Sequence, residues 1–342
     1  MMDPNTGEVL ALIGGNNYSK SQFNRATKAK RQVGSTMKPL LYYSALESGF
    51  TSSSSFTSEK TTFTFSGGKS YSPKNYNDRY AEGPLSMEAA IAYSDNIYAV
   101  KTHLFLGESN LINTAKRLGI TSNLSEVPSL ALGTSEISLI EMTSAYSCFA
   151  SLGYKTTPHF IKKIEDSKGN ILYENKEEKE LLLNPSLTYI LNEMLTSTYN
   201  KNFINYNYPT LISLLPQITH KYAIKSGTTD TDLLIMGYNK NVVLGVWNGY
   251  DNNTKIDSSE YSHHKNIWID TMESYFKQKE ASWYEIPNNV VGVLTEPITG
   301  ALATDETQNK EMFFYLKGTE PSAESNYKDL EAVFQEENNS NT

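Results

Sequence analysis

The sequence predicts a mixed α/β chain of the α+β kind, with helices flanking a mostly antiparallel sheet. Three observations predict it. Apolar residues recur at helical spacing in several separate stretches. Three strand-like runs, His220 to Gly227, Leu233 to Tyr238 and Asn241 to Tyr250, follow one another through short Thr/Asp and Asn/Lys turns, as in an antiparallel meander. No solenoid period, heptad run or low-complexity repeat suggests another architecture. With 342 residues and 39% hydrophobic content, the chain can fill a core as one large domain or two small ones.

Met1-Met2 is the stub of a strand, followed by an Asp3-Pro4 turn closed by Gly7 and an apolar strand to Ile13. A domain rarely opens on half a hairpin, so the chain is expected to be a fragment. A helix is predicted from about Ser35 to Ser48, with apolar Met37, Leu40, Leu41 and Leu46 and a stop at Gly49. Pro39 fits only a first helical turn, which puts Ser35 and Lys38 at the helix N-terminus. Thr51 to Pro84 is rich in Ser, Thr, Tyr, Gly and Asn and reads as a long irregular excursion of the kind that lines sites.

Leu85 to Leu106 reads as one helix, interrupted in its apolar run by Ser94-Asp95-Asn96. A third helix is expected within Leu132 to Gly153, a hairpin across Thr157 to Tyr173 broken at Lys168-Gly169-Asn170, and a helix over Leu187 to Leu195. The Tyr- and Asn-rich run ending at Pro209 is loop. After the meander come an amphipathic helix from about Lys265 to Lys277 and short strands to Gly318. From Ser322 to Thr342 the chain is acidic and poor in apolar residues, which predicts a disordered tail.

A formal net charge of −8, with a basic cluster only at Lys28 to Arg31, argues against a nucleic-acid partner. The single cysteine, Cys148, cannot form an internal disulfide, and its apolar setting suits a buried small hydrophobe. His103, His159, His220, His263 and His264 form no recognisable metal set, and no glycine-rich phosphate loop is present, so neither metal nor cofactor is expected. No stretch approaches the roughly 18 apolar residues of a membrane span, and no basic region precedes an apolar core at the N-terminus. As given, the chain is expected to be soluble.

Three short motifs carry the chemistry: Ser35-Thr36-Met37-Lys38, Ser94-Asp95-Asn96 and Lys225-Ser226-Gly227-Thr228-Thr229. Ser-x-x-Lys alone is weak, since Ser66/Lys69, Ser262/Lys265, Ser274/Lys277 and Ser325/Lys328 share it. Ser35/Lys38 differs in standing at a predicted helix start. There i and i+3 share a face, and backbone N–H groups favour developing negative charge. Ser94-Asp95-Asn96 supplies a second hydroxyl, and Lys225 with its flanking hydroxyls suits recognition of a carboxylate. Together they form the parts of an acyl-serine enzyme: a nucleophile, a lysine to activate it, a hydroxyl to pass protons and a lysine to hold a carboxylate.

This ordered set matches the signature of penicillin-binding proteins and class A β-lactamases. Further stretches resemble the transpeptidase domain of class A penicillin-binding proteins over about residues 1 to 321. They are Asp3-Pro4-x-Thr6-Gly7-Glu8-Val9-Leu10-Ala11, Phe23 to Thr27, Arg31-Gln32-x-Gly34-Ser35, Ala131-Leu132-Gly133, Trp247-x-Gly249-Tyr250-Asp251 and Lys317 to Pro321. Ser226 stands where the family most often has Thr and keeps the hydroxyl; Leu234 replaces a usual aromatic residue. The resemblance implies a central five-stranded antiparallel sheet with helices on both faces and an all-helical subdomain, the first strand being cut short here.

The resemblance also implies a peptidoglycan DD-transpeptidase acting on D-Ala-D-Ala stem peptides and trapped by β-lactam antibiotics. Lys38 would be the base for Ser35, its pKa lowered by burial and by Lys225. Ser94 would relay the proton to the leaving D-alanine, and Asn96 would bond the substrate amide and Lys38. Backbone N–H groups of Ser35 and Thr228 would form the oxyanion hole, and Ser226, Gly227, Thr228 and Thr229 would hold the substrate, its carboxylate on the hydroxyls of Ser226 and Thr228. The parent protein is implied to be anchored at the extracytoplasmic face of a bacterial membrane, with a glycosyltransferase domain not present in this chain. Alternatives are a serine β-lactamase, for whose deacylating base no equivalent stands out between Asn96 and Lys225, and a penicillin-binding sensor or scaffold.

Overall fold

Side chains of Asn24, Ser86, Asp95, Ser138 and Asn184 cap helix starts, and residues of positive φ such as Gly49, Ser94 and Gly107 follow helix ends. In the computed structural model, which describes residues 1–176, 178–322 and 330–331, α1 (Arg25–Lys28) is capped by Asn24 and leads into β1 (Lys30–Gln32). A 3₁₀ turn, Gly34–Met37, then feeds α2 (Lys38–Glu47), with Pro39 in its first turn. Residues 38–46 of α2 are buried throughout, so this helix is the axis of the core. It stops at Gly49, whose φ of 89° lets the Phe50 N–H return to the Ala45 carbonyl at 3.0 Å. The excursion from Thr51 to Pro84 is more ordered than its composition predicts. β2 (Ser55–Ser58) pairs antiparallel with β3 (Gly83–Ser86), and a two-residue pair, Phe63–Thr64 with Ser70–Tyr71, lies between them.

The single helix expected over Leu85 to Leu106 is two: α3 (Met87–Tyr93) and α4 (Asn96–Leu106). Ser94 takes φ 56°, ψ 43°, ending α3, and the Asp95 side chain accepts the Tyr98 N–H at 2.8 Å, starting α4. Aspartate is poor inside a helix and strong as an N-cap, and here the cap wins. α5 (Glu108–Arg117) follows, then β4 (Glu136–Ser138) against β1, and α6 (Leu139–Ala150) behind a Ser138/Glu141 capping box. The expected hairpin is Lys163–Glu165 with Ile171–Glu174, and α7 is Pro185–Met194.

The meander is present as β5 (Ala223–Thr228), β6 (Asp232–Tyr238) and β7 (Val243–Gly249), adjacent and antiparallel. Side chains alternate between two cores. Ala223, Leu234, Met236, Tyr238 and Val243 join the helices around α2, while Ile224, Ile235 and Leu244 meet Trp268, Ile269 and Met272 of α8 (His263–Phe276). Helices therefore cover both faces. The five-stranded sheet is reduced, however: among the described residues, beyond β7 only Met2 bridges to Val243, and Val9 to Met2. A last hairpin joins β8 (Val290–Thr295) and β9 (Glu311–Leu316). The expected disordered tail, 322–342, falls mostly outside the described residues, but Leu330 is buried and Glu331 is ion-paired with Lys101.

Candidate active site

Ser35 is the one residue between Val33 and Leu46 that is not fully buried, so the turn offers its hydroxyl to the cleft while the rest is packed away. The turn lies against β5 at backbone contact. A Cβ added to Gly34 would stand 3.0 Å from the Thr228 nitrogen, and one added to Gly227 only 2.4 Å from the Val33 carbonyl oxygen. Glycine at both positions brings the Ser35 turn and the Lys225-Ser226-Gly227-Thr228 strand together.

Three of the predicted side chains meet at Ser94. Lys225 Nζ donates to Ser94 Oγ at 2.9 Å and Lys38 Nζ to the same oxygen at 3.3 Å. Lys38 also donates to the Ser94 carbonyl (2.7 Å), the Asp95 carbonyl (3.1 Å) and Asn96 Oδ1 (2.7 Å). Lys225 donates to the Ser226 carbonyl at 2.9 Å. The left-handed turn at Ser94 is what presents two consecutive carbonyls and a side-chain amide to one ammonium; a continuous helix would point those carbonyls along its own axis.

Both lysines are fully buried. Burial pulls Lys38 down to about 7, against a weaker upward pull from Asp95. Lys225 is held well below its usual range by burial, then by the charges of Lys38 and Lys265. The expected repulsion between the two lysines thus weighs on Lys225. Lys38 accordingly exchanges its proton near neutral pH, the condition for a lysine to serve as a base. A hydroxyl held between two amines is a path for a proton, and an anionic ligand group beside Lys225 would favour the charge that burial opposes there.

The remaining predicted residues differ in placement. Thr228 is exposed at the end of β5, and Ser226 is buried. Thr229 is committed to the following turn, where its hydroxyl accepts N–H groups of Thr231 (3.2 Å) and Asp232 (2.9 Å). Asn96 Nδ2 donates one of its two N–H groups to the Lys74 carbonyl at 2.7 Å, so the excursion helps to orient the amide expected to reach substrate. Sequence reasoning missed the support behind the motif. Asp95 Oδ2 accepts Ser58 Oγ (2.5 Å) and Asn75 Nδ2 (2.6 Å), while Asn75 Oδ1 accepts the Asn96 N–H at 2.7 Å. Ser58 and Asn75 lie in a stretch without periodicity, which carries no signal for them. Nearby, Arg31 pairs with Asp232 at 2.6 Å, Trp247 Nε1 donates to that carboxylate at 2.8 Å, and the guanidinium lies over the Trp247 ring.

The family model described as the penicillin binding protein transpeptidase domain matches residues 1–257. Penicillin-binding protein 2D of Bacillus subtilis (strain 168) is 44% identical over 323 residues, 94% of this chain and 47% of that protein. Penicillin-binding protein 1A of Aquifex aeolicus (strain VF5) is 36% identical over 329 residues, 94% of this chain and 43% of that protein. The chain thus spans about half the length of these curated relatives. The crystal structure of penicillin-binding protein 1A from Haemophilus influenzae superposes with a TM-score of 0.84 at 26% identity, covering 94% of this chain and 53% of that one.

Proposed function

The chain belongs to the family of penicillin-binding protein transpeptidase domains, and we propose that its cleft forms an acyl-serine on Ser35 from D-Ala-D-Ala stem peptides and transfers the acyl group to a neighbouring stem, cross-linking peptidoglycan. The observation that carries this reading is the Ser94 hydroxyl within hydrogen-bond reach of both Lys38 and Lys225.

Neutral Lys38 takes the Ser35 Oγ proton as that oxygen attacks the carbonyl carbon of the penultimate D-alanine. Backbone N–H groups of Ser35 and Thr228 receive the oxyanion, and the peptide's terminal carboxylate lies on Ser226 and Thr228 beside Lys225. As the C–N bond breaks, the proton passes from Lys38 through Ser94 to the departing D-alanine amine. An amine of a second stem peptide then attacks the ester, gives up a proton by the same route and restores the Ser35 hydroxyl. β-Lactams are attacked likewise, but the opened ring stays tethered, so no leaving group diffuses away. The carboxylate nearest the pair, Asp95, is occupied by Tyr98 N–H, Ser58 and Asn75, which favours a long-lived adduct over lactam hydrolysis. The whole protein acts at the extracytoplasmic face of a bacterial membrane, alongside an anchor and a glycosyltransferase domain.

The test is exchange on a D-Ala-D-Ala-terminated peptide with a D-amino acid as acceptor. The reading predicts the exchanged peptide, lost in Ser35→Ala and strongly reduced in Ser94→Ala. Rapid turnover of penicillin with no exchange product would instead make the chain a β-lactamase.

A further inference from the structure

Lys101, on the second turn of α4, is 1% exposed, and an ammonium so buried requires a partner. Its partner is near the far end of the chain. Lys101 Nζ donates to both Glu331 carboxylate oxygens at 2.8 Å and to the Thr57 carbonyl at 3.0 Å. Glu331 Oε2 also accepts the Thr57 N–H at 3.0 Å. The adjacent Leu330 is buried in the main core and donates its N–H to the Ser55 carbonyl at 3.0 Å. Two consecutive residues therefore grip β2 through its backbone, and one of them grips α4 as well.

Those two elements hold the proposed catalytic break from either side. Ser58, next to Thr57, bonds Asp95 Oδ2; Asp95 Oδ1 caps α4; and the Asp95 carbonyl accepts Lys38 Nζ. A continuous path runs from Glu331 through Thr57 and Ser58 to Asp95 and Lys38, and a second runs from Glu331 through Lys101 along α4 to Asn96. We infer that Glu331 is a positioning residue: with Leu330 it clasps β2 to α4 and so keeps Ser94, Asp95 and Asn96 in register with Lys38. The inference rests on the acyl-serine reading given above. A shift of even about 1 Å in catalytic geometry can cost about a hundredfold in rate.

The test uses the full chain as wild type, Glu331→Gln, Glu331→Asp, and the double variant Lys101→Met with Glu331→Gln, which removes the buried charge together with its partner. Each is assayed below its own melting temperature for the rate of Ser35 acylation by a fluorescent penicillin across pH, and for hydrogen exchange at the Tyr98 amide. Glu331→Gln and the double variant should acylate about tenfold to a hundredfold more slowly, with the pH limb displaced from wild type and Tyr98 exchange accelerated. Glu331→Asp should recover part of the loss. Unchanged acylation and an unmoved limb in folded Glu331→Gln would overturn the inference, whatever happened to its melting temperature. If wild type itself fails to label at Ser35, the acyl-serine reading has failed instead, and unaltered Tyr98 exchange in Glu331→Gln would then separately overturn the clasp.

Discussion

Replacing Asn96 by Asp puts a carboxylate where Lys38 Nζ now meets an amide oxygen at 2.7 Å. The account makes Lys38 a base because burial holds it at about 7, so about half of it is neutral at pH 7. Unit charges at the observed 2.7 Å attract by about 6 kcal/mol at an effective dielectric of about 20, which is a ceiling. An opposite charge at such range raises a lysine pKa by roughly 1–3 units. The neutral fraction at pH 7 then falls to between about one in eleven and about one in a thousand, a loss in acylation of about 5-fold to about 500-fold. Raising the pH by the same 1–3 units should restore it.

The assay is the second-order rate of acylation by a chromogenic or fluorescent β-lactam from about pH 5 to about pH 10, which reports the free enzyme's essential base. Asn96→Ala is the control. It also breaks the bond to the Lys74 carbonyl but adds no charge, so its rate drops without an upward move of the limb. If Asn96→Asp keeps the wild-type limb and is slower by one factor at every pH, Lys38 is not the base and the reasoning fails.

Two further outcomes follow from packing and linkage. Gly227→Ala places a methyl 2.4 Å from the Val33 carbonyl oxygen, which should cost about 1–3 kcal/mol of stability, seen as a lower denaturant midpoint at unchanged slope, and slow acylation by parting the Ser35 turn from β5; a variant as stable and fast as wild type would contradict this contact. Lys38 titrates at about 7 when folded against 10.5 when exposed, so between these values the unfolded chain binds the extra proton and stability rises with pH, by at most about 5 kcal/mol in all. The stability difference between wild type and Lys38→Ala should therefore grow in favour of wild type from about pH 7 to about pH 10, and a difference independent of pH would show that Lys38 is not depressed.

Much of this site was legible because its parts are local. Ser35 and Lys38 share one turn, Pro39 and Gly49 bracket the helix that carries them, and the β5–β7 meander shows in its apolar runs and short turns. The break at Ser94 was not legible, since a left-handed serine costs local energy that only the lysine contacts and the Asp95 cap repay. The motif places Thr229 among the residues expected to hold substrate, and what it does not reveal is that the Thr229 hydroxyl also accepts the Asp232 N–H and closes the turn that follows. Ser58 and Asn75 support Asp95 from an excursion whose composition suggested that it lines a site but whose lack of periodicity did not single them out, and Glu331 bonds Lys101 from a stretch that composition marks as tail. The sheet edge beyond β7 was legible in its outline: the Met1-Met2 stub and the turn closed by Gly7 were expected from the residues, and Met2 bridges both Val9 and Val243.

The central claim is that Ser35 is the nucleophile of an acyl-serine site. Intact-mass measurement after exposure to penicillin, on wild type and Ser35→Ala side by side with melting curves for both, tests it most directly. The account predicts one penicilloyl adduct per wild-type chain, mapped to the peptide bearing Ser35 and persisting after free penicillin is removed, and none on a folded Ser35→Ala chain. Equal labelling of the two proteins would contradict it.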